Sequence, residues 1–337
     1  MRRLLLPLLA LALVIPFVLF LVWDTQTRTL GNALIADITQ AKQRAIKRDP
    51  PPREPKHDNG FKCLAGMLDV MPPGALVPFS GANIDALQPF ISGAKPVTEL
   101  PPEVRASMIA FSPWAGSVRD CAQSMELGWV DGIAPWAPAD NVRAARLAEA
   151  MPVLIDFTAL ELRVLLADLQ PEVALERCST TWALAADQSH LGLAGAKTAR
   201  LAVKWLAPAC EAALKALPAE ATPVRATVGK QWLALKQRLA LPKEVIEAER
   251  IRGSLRNFAW VSDEAIRAQL PGVVMPADSG FMSRIETGRK WRAWDQAMRE
   301  LATGTPSGPV DASLPTALND YEQTADELDS LASVASK

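Results

Sequence analysis

The chain has 337 residues, and its charges nearly cancel, with 36 Lys and Arg against 37 Asp and Glu. No basic excess exists to hold nucleic acid or an anionic membrane face. Ala and Leu dominate, which favours helices, while 27 prolines predict many short helices rather than a few long rods.

The first element is apolar. Arg2 and Arg3 are followed by an uncharged run from Leu4 to Trp23. Twenty helical residues span roughly 30 Å, the hydrocarbon thickness of a bilayer. The run is longer than the core of a signal peptide, and Val22-Trp23-Asp24-Thr25 is not a small-x-small cleavage site. The arginines ahead of it predict a cytoplasmic N-terminus, so residues 1–25 read as a single-pass inner-membrane anchor with the bulk of the chain periplasmic. Trp23 suits the bilayer interface.

Residues 26–48 read as a juxtamembrane helix, with Leu30, Leu34 and Ile38 on one stripe. Residues 49–60 read as a stiff Pro-rich spacer, neither helix nor sheet. An extracytoplasmic helical domain is expected over 61–302. Its helices are predicted at 61–70, 83–91, 102–111 and 114–127, the last two parted by Pro113, and a further one capped by Asp140 or Asn141 and running to about Ala150. Further helices are predicted at 152–169, 172–190, 196–216, 222–240, 243–256, 262–270 and 280–302. The helix at 152–169 is apolar on several faces and so reads as central. Short strand candidates lie at 257–261 and 272–275. Residues 303–337 form a linker and an acidic amphipathic helix, which docks on its own domain or frays.

Four cysteines in an exported chain imply two disulfides. Cys178 and Cys210 are equidistant from residue 194, inside Gly192-Leu193-Ala194-Gly195. An antiparallel helical hairpin turning there brings the two sulfurs together. Cys63–Cys121 follows by elimination, each loop worth roughly 4 kcal/mol in the chain-entropy model. Pro208, just before Cys210, predicts a kink in the second arm.

Motifs of catalysis are sparse. His57 lies in the spacer and His190 near a helix end, and no HExxH or paired histidine offers a zinc site, so neither metal nor cofactor is expected. Ser92-Gly93-Ala94-Lys95 matches S-x-x-K, but Pro96 denies it the helix it needs. Two carboxylates alone suffice for glycan cleavage, and Glu126 and Glu161 are the weak catalytic candidates, with Asp131 and Asp156 as possible second acids. Trp129 and Trp136, in a proline-bounded loop, and Trp114, after Pro113, are the candidate binding residues, because indoles stack on sugars and anchor protein partners. Trp182, Trp205 and Trp232 fall on apolar stripes and read as core.

These features predict an all-α, irregular multi-helix domain with a membrane helix through residues 4–23 and two disulfides. The expected role is non-enzymatic: an envelope adaptor that binds a protein or glycan partner. A cell-wall glycan hydrolase using two carboxylates, or a structural self-associating protein, are the alternatives.

Overall fold

A computed structural model describes residues 2–43, 46–47, 56–71, 79, 82–127, 141–261, 281–304 and 313–335. In chain order the elements are α1 (Arg2–Gln43), β1 (Ile46–Lys47), β2 (His57–Asn59), α2 (Gly60–Asp69), α3 (Ala82–Ile91), α4 (Pro102–Asp120), β3 (Ser124–Leu127), α5 (Asn141–Ala167) and α6 (Pro171–Gln188). Then follow α7 (Leu193–Ala216), α8 (Thr222–Arg238), α9 (Pro242–Val261), α10 (Phe281–Thr303) and α11 (Ser313–Ala335). The fold is all-α apart from one small sheet.

Several elements depart from the sequence reading. Helix α4 runs through Pro113 and α5 through Pro152. An interior proline costs about 3 kcal/mol. Here burial on both sides outweighs it: Phe111 and Trp114 flank Pro113, and Met151 and Val153 flank Pro152. Helix α7 likewise continues through Pro208. The helix expected over 114–127 stops at Asp120, because Cys121–Gln123 tightens to a 3-10 turn and Ser124–Leu127 becomes β3. Strand β3 is the centre of the sheet, antiparallel to β1 and parallel to β2. The juxtamembrane helix therefore ends at Gln43 rather than 48, and His57–Asn59 of the expected spacer is a strand. Residues 257–261 are helical within α9, since Phe258 is wholly buried there. The helix expected at 262–270 and the strand at 272–275 lie outside the described residues.

The chain divides into two compact units. The larger joins Gln43–Trp136, Asp140–Glu249 and Asp311–Lys337. Helix α5 is its centre: Ile155, Phe157, Leu160 and Leu162 have no exposed surface, as an apolar girdle on several faces requires. Helices α6 and α7 form the expected hairpin, and Cys178–Cys210 joins them with Cα atoms 6.1 Å apart. Cys63–Cys121 joins α2 to the turn after α4. Both predicted pairings are present. Gly192 has φ +90°, and a Cβ on Gly195 would lie 1.7 Å from the carbonyl oxygen of Gln188. Only glycine lets the second arm begin so close to the first.

The buried face of α7 is made mostly of small residues, Ala199, Ala202, Ala209 and Ala213, with Val203 and Leu206. Trp205 is off that face and 36% exposed, not core. Its size drew attention to the wrong stripe, while alanines allow the close approach that buries α7. Helix α11 docks on this unit rather than fraying. Tyr321 donates to the Ala240 carbonyl at 2.8 Å, Arg200 pairs with Asp320 and Glu327, and Lys236 pairs with Asp329. Burial holds the Tyr321 hydroxyl up to about 12, well above an ordinary phenol.

The smaller unit joins Met1–Lys42, Ala137–Ala139 and Arg250–Val310. Helix α1 buries Thr27, Gly31, Leu34 and Ile38, a four-three-four stripe that includes two of the three residues predicted to line it. Arg250 is the polar centre. It donates to Asp37 at 2.6 Å and to Asp295 at 2.7 Å, and Arg299 closes on the same two carboxylates. These bonds outweigh its desolvation and raise its pKa. Phe258 meets Trp291 edge-on at 6.0 Å, and Trp294 covers Gly253.

Among the residues whose side chains are described, no helix is long and apolar enough to cross a membrane. In α1 those side chains start, apart from Ala12, at Val14, so the first half of the Leu4–Trp23 run lies outside them. In the second half, Val14, Ile15, Phe17, Val18, Leu19, Leu21 and Val22 stand 47–64% exposed.

The Gly195 contact yields a test. Gly195→Ala should lose roughly 3 kcal/mol or more in denaturant unfolding, because the obstructing atom is backbone and cannot turn aside. Gly66→Ala, on an open face of α2, should be neutral or stabilise by about 0.5–1 kcal/mol. Equal effects would show that α7 can start elsewhere.

Candidate functional site: a groove between helices α6 and α8

Helices α6 and α8 run parallel, fixed by Trp182 and Trp232. The two indoles meet edge-on at 4.9 Å, and both are buried. Trp182 Nε1 donates to the Ala202 carbonyl at 3.1 Å and Trp232 Nε1 to Ser179 Oγ at 2.9 Å. Two large rings at one contact hold helices apart. Beside them the facing positions are small, Thr180, Ala183, Thr227 and Ala234, and no described side chain fills the gap. The result is a half-open groove of about 440 Å³, within the ~300–1,000 Å³ range of ligand sites.

Its wall is mostly apolar, with Leu175 from α6 and Val224, Val228 and Leu235 from α8. From Glu172 to Ala183 it follows α6 for roughly 16 Å, three helical turns. Glu172 and Glu176 edge one end. Gln123 and Arg238 close the other. Gln123 Oε1 and Arg238 Nε are buried there with no hydrogen-bond partner among the described residues.

Arg238 is held by a polar knot at the end of α6. Its Nη2 donates to both carboxylate oxygens of buried Asp187 at 3.0 Å and to the Ala122 carbonyl at 2.7 Å. His190 Nε2 lies 2.9 Å from the Arg238 carbonyl, so the histidine caps the C-terminus of α8 rather than its own helix. Ser189 Oγ donates to the Ala186 carbonyl and accepts from Ala240 N–H. Asp187, Ser189 and His190 are the residue types of a hydrolytic triad, but each is bonded to structure: Asp187 to Arg238, Ser189 to Ala186 and Ala240, His190 to Arg238.

The sequence-predicted residues are scattered. Glu161 is pinned by Arg119 at 2.6 Å, with Arg177 at 3.7 Å. Arg119 is almost wholly buried, and its pKa is lowered by desolvation against the pull of Glu161. A carboxylate so paired is committed to holding two arginines. Asp156 is five residues away on α5, about 140° around the helix, so the two acids face different ways. Burial pushes Asp156 up from 3.8 to about 6. Trp114 is buried in the core, its Nε1 donating to the Met67 carbonyl at 2.9 Å and its ring 5.1 Å from Phe111. Glu126 is in β3, but its side chain, with Trp129, Asp131 and Trp136, lies outside the described residues. Among the described residues no cluster of His, Cys, Asp or Glu is placed to hold a metal ion.

Sequence reasoning missed the groove because its lining is ordinary helix: small, aliphatic and polar residues in regular spacing. The one available signal was two tryptophans beside stripes of Ala and Thr. No family model, curated protein or solved structure matches the chain.

Asp156 makes a pH prediction. Its native pKa lies above the unfolded value, so the native state binds more protons between about pH 4 and 6, and stability falls as pH rises through that window. Asp156→Asn should leave stability unchanged near pH 4 and raise it at pH 7 by roughly 1–2 kcal/mol, allowing for partial solvent screening. Parallel pH profiles of Tm for the two proteins would contradict the assignment.

Proposed function

We propose that this chain is a membrane-anchored, extracytoplasmic binding protein whose α6–α8 groove receives an amphipathic helix of a protein partner. The groove carries the reading: three turns long, mostly apolar and open on one side, it has the dimensions of a helix-in-groove site. A partner helix presenting apolar residues at i, i+3 or i+4 and i+7 matches it. A basic residue at one end of that helix would face Glu172 and Glu176. A glycan is the weaker choice, because none of the described residues lining the groove is an aromatic on which a sugar could stack. The two-carboxylate hydrolase loses support from the pairing of Glu161 with Arg119.

The anchor rests on the uncharged run Leu4–Trp23, the arginines before it and the exposed side chains from Val14 to Val22. Apolar surface left in water costs about 25 cal/mol per Å², and a contiguous stripe of it marks a membrane or partner contact. Lipid removes that cost. The double arginine then leaves the N-terminus in the cytoplasm and the groove outside.

Two measurements test the reading. Full-length protein should stay in membranes after a carbonate wash, with a C-terminal tag degraded by protease added to spheroplasts. Release by carbonate, or a protected tag, overturns the anchor or its orientation. For the groove, a photo-crosslinking amino acid at Thr227 should capture one protein in cells, and Ala183→Trp, which fills the groove, should abolish the adduct. The crosslinked segment, made as a peptide, should be helical and basic at one end. Loss of affinity when that basic residue is removed supports the assignment. An adduct unaffected by Ala183→Trp, or one formed with a second copy of this chain, overturns it.

A further inference from the structure

The groove between α6 and α8 has a direction. Ser179 meets Trp232 and Asp187 meets Arg238, so rising numbers on one helix meet rising numbers on the other. Both helices therefore begin at the Glu172–Pro223 end of the groove and finish at the Gln123–Arg238 end. Their backbone dipoles point the same way, partly positive at the first end and partly negative at the second. Glu172 and Arg238 each offset the dipole of their own helix.

The side chains at the two ends differ in kind. Glu172 is exposed in the first turn of α6. At the far end, Arg238 Nη2 is spent on the Ala122 carbonyl and the Asp187 carboxylate, while Nε has no partner. Gln123 Oε1 has none either. Ala122 is next to Gln123 in the chain, so an unpaired donor and an unpaired acceptor close the same end. The N-terminal turn of a helix supplies both complements. Its first backbone N–H groups lack intrahelical acceptors, and its capping Asp, Asn, Ser or Thr brings a side-chain oxygen. The C-terminal turn offers free carbonyl oxygens, which match Arg238 but not the Gln123 oxygen.

We infer that the partner helix lies antiparallel to α6 and α8, with its N-terminus and capping side chain seated on Gln123 and Arg238 and a basic residue of its last turn facing Glu172. The inference rests on the groove reading proposed above and adds the direction and end chemistry of the partner. Acceptor oxygens in the first turn and cations in the last are also where a helix's own dipole favours them. In the reverse direction the basic residue would stand in the partner's first turn, against its dipole, and three helix dipoles would point the same way.

The test places a photo-crosslinking amino acid in the full-length protein in cells, at Thr227 or at Ala234, both exposed on the groove wall. The two positions lie roughly 10 Å apart along α8. Mass spectrometry of each adduct identifies the partner residues touched. Adducts from Thr227 should fall about seven residues nearer the partner's C-terminus than those from Ala234. The opposite order overturns the direction and leaves the groove standing. An adduct from one position alone overturns the end-to-end seating. No protein adduct from either, or adducts with a second copy of this chain or with lipid, removes the groove and the inference together. The captured segment, made as a peptide, gives a second readout. Glu172→Lys should weaken its binding about threefold, the weight of one exposed ion pair, and exchanging the basic residue of its last turn for Glu should restore it. Unchanged affinity overturns the contact with Glu172, and restoration by a Glu in the first turn overturns the direction.

Discussion

The larger unit depends on how closely α7 approaches α6. Gly195 sits against the Gln188 carbonyl, and an alanine face lets the two helices come together along their length. Cys178–Cys210 crosses that interface and constrains the unfolded chain rather than creating the contact. Helix α7 also packs on α5 and α11, so its position sets where the core and the C-terminal helix can lie. The groove is the other side of the same fact. Close packing of α6 on α7 contrasts with the tryptophan-spaced contact of α6 on α8, and the space left over is the groove.

Polar chemistry in this protein is spent on holding elements together. Arg250 sits between two carboxylates, Arg119 is committed to Glu161, and Arg238 ties Asp187 to the turn after α4. A guanidinium drawn out of water without such partners would be strongly destabilising, and each of these three, Arg119 and Arg250 buried and Arg238 half-buried, has a carboxylate within 3.0 Å. The same pairing engages Glu161, one of the two weak catalytic candidates, with Arg119. The groove among the described residues has a mostly apolar wall.

The candidate site was far less legible than the fold. Periodicity located α6, α7 and α8 to within a few residues, and the hairpin argument paired the cysteines. The same method placed Trp205 in the core, because hydropathy ranks indole above alanine, while the packing interface belongs to the small residues. Pro113 was read as a break because local propensity sees the lost N–H and not the burial around it. A groove is a volume that side chains fail to fill, and no single helix carries a record of that.

The amino-acid sequence by itself determined the helical class, the disulfide pairing and the uncharged run at the N-terminus, because each follows from composition or local spacing. Tertiary structure decided which face of α7 is buried, which arginine meets which carboxylate, and that α10 lies alongside the end of the apolar run. Those outcomes depend on residues up to 266 positions apart meeting in space, as Gln26 and Arg292 do. Local physics constrains each helix, but only the packed chain sets the distance between them.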